Sequence, residues 1–165
     1  MKIPGDRLKI SKFKLDSLLD ITMSINAPLP TEVLLSKYES ILRDSLGIGK
    51  ILIFKLSDNW ECLLNGGFPK DFETIDVEEK LLHIDEITYV SSEIDFKGVD
   101  IIVPVFNNNV HIAFLFIGDI EEEGEGMSPV LKHLNFIQTI SNIIIVAIEK
   151  IRLQKERLKQ EALNK

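Results

Sequence analysis

A chain of 165 residues has room for one domain with a substantial core and is short for two. Its composition, 45% hydrophobic and 27% charged, is that of a soluble globular domain, and no apolar run is longer than Ile143 to Ile148, far below the ~20 residues of a membrane span. The net charge of −7 is segregated, with five Lys/Arg against one acid in residues 1–14, eight against twenty-two in 15–148 and six against three in 149–165, so the acidic body excludes phosphate-backbone binding and no nucleic-acid partner is expected.

The first fifteen residues, "MKIPGDRLKISKFKL", are basic but lack the apolar segment and cleavage site of a secretory signal. From about Ser11 to Ile25, apolar positions Leu15, Leu18, Leu19, Thr22 and Ile25 recur at helical spacing. "NAPLP" interrupts them, Thr31 is placed as an N-cap, and Leu34, Leu35, Tyr38, Ile41, Leu42 and Leu46 form a second apolar stripe closed by Gly47 and Gly49. "KILIFKL" (50–56) and "WECLL" (60–64), separated by "SDN", read as a hairpin, with Trp60, Cys62 and Leu64 on one face by alternation.

The stretch 66–97 is irregular, with a short helix capped by Asp76, which stands at capping-box spacing from Glu79, and "EITYV" as an edge strand. "VDIIVPVF" (99–106) and "VHIAFLFIGD" (110–119) flank Asn107, Asn108 and Asn109, residues that tolerate left-handed backbone angles, and make the clearest hairpin in the chain. After the acidic loop "IEEEGEG", Ser128 is placed as the cap and Pro129 as the first residue of a helix that runs to the end without a stop signal. Strands grouped between helices predict an α+β domain, an antiparallel sheet with the terminal helices side by side on one face.

Several motifs are weaker than they look. "GIGK" (47–50) follows a helix and precedes a strand, the reverse of a phosphate loop, and Ile51 stands where a magnesium-binding Ser or Thr belongs. "DIEEEGEGMSPV" (119–130) has the acids and glycine of a calcium loop but ends on Val130 in place of a bidentate glutamate, and is read as a solvated acidic loop. His83, His111 and His133 lie on separate elements without ligand spacing, and no metal site is expected. Cys62 is the only cysteine, so no internal disulfide forms, as in a reducing cytoplasm; with Glu61 as neighbour it is read as a core residue and not a nucleophile.

The element order, "IIVPVFNNNVHIAFLFIGD" and the closing "SPVLKHLNFIQTISNIIIVAIEKIRL" resemble the GAF domain family of small-molecule sensor modules, over nearly the whole chain. More narrowly, "LLSKYESILRDSLGIGKILIF", "VDIIVPVF" and the trailing "RLQKERLKQE" resemble the N-terminal sensory region of bacterial SpoIIE-like, RsbU-type serine phosphatases that regulate sigma-factor pathways. The resemblance implies a five- or six-stranded antiparallel sheet with terminal helices on one face and a ligand pocket on the other. There are departures. Ala113 stands where many GAF domains carry a glycine at the start of the last strand, and no "NKFDE"-type pattern of cyclic-nucleotide binders is present. Leu63 follows Cys62 where bilin-binding relatives place a histidine, and the methionine-sulfoxide reductases of this fold use more than one cysteine.

The expected organisation is a GAF-like sensor over 1–149, with 150–165 beginning a helical linker to an output domain, Lys165 standing inside that linker. The expected function is a cytoplasmic, non-catalytic regulatory domain, without cofactor or membrane partner, that forms a homodimer and signals through its last helix to an output domain in cis. Ile137, Ile140, Ile144, Ala147, Ile151 and Leu158 keep a 3, 4, 3, 4 spacing there, with Gln154 as the weak position, and Ile144, Ala147, Ile151 and Leu158 are assigned to the dimer and signalling helix. A pocket for an unknown small molecule is placed between the sheet and the 66–98 crossover, lined by Phe54, Trp60, Phe72 and Phe96. The alternatives are a ligand-binding or protein-interaction module without phosphatase context, and an enzyme or carrier on the same fold, which would need a convergent catalytic set that the sequence does not show.

Overall fold

The computed structural model describes residues 4–27, 29–90, 96–120 and 133–164, with side chains from Lys12 onward. Helix α1 (Pro4–Asn26) leads into α2 (Thr31–Ser40), which continues into a π-type turn over Ile41–Ser45. Strand β1 (Ile48–Leu56) and β2 (Trp60–Gly66) form the first hairpin. A 3₁₀ turn (Lys70–Thr74), the short helix α3 (Val77–Lys80) and the two-residue strand β3 (Thr88–Tyr89) make the crossover. Strands β4 (Ile101–Asn107) and β5 (Val110–Ile120) form the second hairpin, and α4 (Leu134–Leu163) follows. The expected cap at Ser128 and Pro129 and all of the acidic loop beyond Ile120 lie outside the described residues.

The five strands form one antiparallel sheet in the order β2-β1-β5-β4-β3. One face carries Ile51 and Ile53 of β1, Ile101, Val103 and Val105 of β4, and Leu115 and Ile117 of β5, all buried against α2 and α4. The other face carries Leu52, Phe54, Ile102, Phe114 and Phe116 and is covered by the crossover. Alternation along each strand therefore feeds two cores from one sheet.

The helical layer departs from the sequence reading at its edges. Along α2 and the π-type turn that follows it, the stripe Leu34, Leu35, Tyr38, Ile41, Leu42 and Leu46 is buried as expected. Thr31, expected as the cap, is the first helical residue; the extended Pro30 takes the cap position, and its carbonyl accepts from the amides of Val33 and Leu34. Gly47 ends the helix at φ +75°, whereas Gly49 lies inside β1, where a Cβ would come within 2.4 Å of Asp119 Cβ.

On α1 the buried line is Ser17, Ile21 and Ser24, with Phe13, Leu18 and Ile25 packing beside it. Of the expected stripe only Leu18 and Ile25 face inward. Leu15 (57% exposed), Leu19 (52%) and Met23 (71%) point to solvent, as does Thr22. The two serines make the difference, because small side chains let α1 seat closely and Ser24 Oγ satisfies itself on the Asp20 carbonyl at 2.8 Å.

Helices α1 and α4 lie together and run in the same direction: the Phe13 and Phe136 rings are 6.4 Å apart at one end, and Ile25 and Ile151 share a groove at the other. Helix α4 is long and apolar enough to cross a membrane, but half of its most apolar stretch is buried within the domain, where Ile137, Ile140, Ile144 and Ile148 close the core. Tyr38 on α2 and Ser141 on α4 tie the two helices with a buried hydroxyl pair at 2.5 Å, and Ser141 Oγ also donates to the Ile137 carbonyl at 2.6 Å.

Candidate functional site

The crossover face is an aromatic layer built around Phe116. Phe54 and Phe96 meet its ring edge-on at 5.5 and 5.8 Å, and Phe68 does so at 6.5 Å, the T-shaped geometry that ring quadrupoles favour. Phe72 lies tilted against Phe68 at 5.4 Å, and Trp60 leans on Phe114 at 5.5 Å. Asn65 fixes the start of the crossover: its carbonyl oxygen accepts from the Phe68 amide and its Nδ2 donates to the Phe68 carbonyl, both at 3.0 Å, and to Glu73 at 3.1 Å. Asp76 Oδ1 accepts from the Glu79 amide at 3.2 Å, the cap read from the sequence.

Two β-bulges decide what reaches this face. Between β1 and β2, Ile53 pairs with Leu64 but Phe54 with Cys62, so Leu63 is the extra residue. Trp60 and Cys62 thus face the aromatic layer, while Leu64 packs with the helical core, which corrects the expectation that all three share a face. Between β4 and β5 the extra residue is Ile112, and His111 is thereby turned onto the crossover face to stack on Phe114 at 5.2 Å. Its Nε2 lies 2.8 Å from the Ile84 carbonyl and 3.3 Å from Asp85, fastening the crossover to β5.

The layer contains the four residues expected to line a pocket. Phe54 and Phe96 are buried in it, and Trp60 and Phe72 are half-buried at its rim. Its centre is Phe68, Phe114 and Phe116, of which Phe114 and Phe116 alternate on one strand face, the signal in the sequence that points to them. The sheet is approached closely at Gly118, where a Cβ would sit 2.5 Å from the Gly98 carbonyl and 3.0 Å from the Phe68 ring. Above it Lys50 holds its ammonium 5.3 Å from the Phe68 ring centre and 3.5 Å from Asp119.

Cys62 is half-buried, and its thiol donates to the Leu64 carbonyl at 3.6 Å. Burial, then the charge of Glu73, pushes its pKa up to about 11. Among the described residues no cluster of three or more His, Cys, Asp or Glu could hold a metal ion.

A second constellation marks the point where α4 leaves the sheet. Lys55, on the helix-facing side of β1, is 2% exposed and bonds Glu149 of α4. Arg152, one turn on, donates to Glu149 Oε1 from Nε at 3.0 Å and to Glu156 at 3.2 Å, and lies 3.7 Å from Asp58 in the β1–β2 turn. Burial alone would raise the Glu149 carboxyl, but the hydrogen bonds from Arg152 and Lys55 outweigh it and hold its pKa below the usual range.

Of the four residues assigned to the signalling helix, Ile144 and Ala147 are enclosed within the chain's own core. Ile151 and Leu158, with Gln154 between them, line a groove of about 550 Å³ together with Ile25, Leu29 and Pro30. From Leu153 to Asn164 every residue is exposed.

No family model matches the sequence, and no curated protein matches it significantly. Solved structures do match in shape. The GAF domain of a candidate sensor histidine kinase from Pseudomonas syringae pv. tomato superposes with a TM-score of 0.67 at 11% identity, over 96% of this chain and 99% of that one. The GAF domain of a phosphoenolpyruvate-protein phosphotransferase from Coxiella burnetii gives 0.65 at 15%, over 88% and 98%. Its counterpart from Acinetobacter gives 0.61 at 15%, over 81% and 91%. Identities this low speak to architecture alone, and the architecture of this chain is the GAF fold.

Proposed function

We propose that the chain is a non-catalytic sensor domain that forms a homodimer through its terminal helices and relays a change along α4 to an output domain. The observation that carries this reading is α4 itself. It closes the core with Ile137 to Ile148, passes the Lys55–Glu149 pair, and continues for about 16 Å from Leu153 to Leu163 as helix in which every residue is exposed. The outward apolar line of α1, Leu15, Leu19 and Met23, supports a helical interface with a second copy. The raised Cys62 pKa supports a non-catalytic role. A SpoIIE-like serine phosphatase acting on sigma-factor regulation is the output that the sequence resemblance favours.

The test is sedimentation of the full chain and of a chain ending at Glu149, at concentrations on the order of 10 μM, where an interface of even modest affinity is populated. The full chain should sediment as a dimer and the shortened one should dissociate; two monomers would overturn the reading. A second reading, a ligand- or protein-binding module without a relay, is favoured by the aromatic layer. It predicts a small molecule retained in native mass spectrometry of freshly purified protein, together with a monomeric full chain.

A further inference from the structure

Among the described residues Lys55 is the only charged one that is buried, and its place is specific. The helix-facing side of β1 reads Ile51, Ile53, Lys55, two apolar residues and then a cation at the point where Glu149 of α4 reaches the strand. An apolar side chain at position 55 would cover α4 as well, but hydrophobic contact is non-directional and lets a helix turn or slide. An ion pair with a named partner does not, and fixing register is the best-attested use of a buried charge. The groups facing Lys55 come from both packed elements: Glu149 and Arg152 from α4, its own neighbour's carbonyl at Leu56, and Asp58 through Arg152.

We propose that the Lys55–Glu149 pair, braced by Arg152, is a positioning latch that fixes the direction in which α4 leaves the domain and makes the β1–β2 hairpin the element that sets it. Phe54 and Lys55 are consecutive in β1 and point to opposite faces, Phe54 into the aromatic layer against Phe116 and Lys55 into the latch. Trp60, opposite Leu56 in the same hairpin, leans on Phe114. Any displacement of the aromatic layer that moves β1 therefore moves Lys55, and with it Glu149, without a chain of intermediate side chains. The use of the latch in signalling rests on the relay proposed above; its existence as a positioning device does not.

The experiment measures a distance in the full chain. Spin labels at Asn59→Cys, in the hairpin turn, and Lys159→Cys, on bare α4, are introduced with Cys62→Ser and diluted with unlabelled protein so that only distances within one copy are read. The same pair is measured with Lys55→Met and Glu149→Met together, a replacement chosen because exchanging both members of a buried pair for apolar residues leaves stability level or raises it, whereas removing one strands a charge. The remaining Arg152–Asp58 contact is solvent-exposed on the Asp58 side and holds little.

The expected result is a narrow distance distribution with the latch intact, and a broadened or shifted one without it at an unchanged or higher melting temperature. An unchanged narrow distribution overturns the proposal, and so does broadening that appears only with loss of cooperative melting. Because the labels report on single copies, a failed latch leaves the dimer reading untouched, and a monomer in sedimentation leaves the latch untouched.

Discussion

Gly118 shows how much a single hydrogen in place of a methyl can decide. It lies in β5 where the crossover returns over the sheet, with the Gly98 carbonyl and the Phe68 ring closing on its missing side chain. Gly118→Ala should push the crossover off the aromatic layer and cost about 1–3 kcal/mol, the usual range for overpacking, measured by urea denaturation. Cys62 makes the opposite kind of statement. With a pKa of about 11 its thiolate is scarce at pH 8, and a disulfide reagent should modify it roughly two orders of magnitude more slowly than a free thiol of ordinary pKa. Neither Phe68 nor Gly98 adjoins Gly118 in sequence, so only the folded crossover shows why a glycine is required there.

At the scale of elements, the patterns that survived are those in which every local signal agrees. The Asn108–Asn109 turn has φ of +54° and +63° at its two central residues, the mirror-image turn that matches strand twist, and asparagine tolerates it. Asp76 caps α3 as its spacing with Glu79 implies, and the α2 stripe is buried throughout. What failed was parity and choice of face. The extra residues of the two bulges, Leu63 and Ile112, are ordinary strand formers with no glycine to announce them, and each reverses which face its neighbours reach. On α1 two apolar lines compete, and only the packed helices show that Ile21 and two serines win.

The contact between β1 and α4 was equally illegible, because Lys55 and Glu149 lie far apart in sequence and each reads alone as a surface charge. It also gives a pH signature. The folded carboxyl is depressed below its unfolded value near 4.3, so the contribution is complete above that value and is lost as pH falls through the folded pKa. Between about pH 6 and pH 3 the urea midpoint of the wild type should therefore fall more steeply than that of the Lys55→Met, Glu149→Met variant.

For the molecule as a whole, one sheet shared by two cores means that neither can be loosened alone. The helical side holds Ile53, Val103 and Leu115, and the crossover side Phe54, Ile102 and Phe116, on the same three strands. Phe116→Ala should cost about 3–5 kcal/mol through transfer and cavity terms together. The loss should be global: the fluorescence of Trp60, which reports the aromatic layer, and far-ultraviolet circular dichroism, which reports the helices, should show one coincident transition. Two separated transitions would mean that the layers fold independently.

The shared direction of α1 and α4 has a mechanical consequence. The first residue of α1 and the last of α4 lie at opposite ends of the helical layer, so tension applied between them runs along both helix axes. The contact between the helices, from Phe13 and Phe136 to Ile25 and Ile151, is then loaded in shear, all of its side chains resisting together, and is not peeled open one turn at a time.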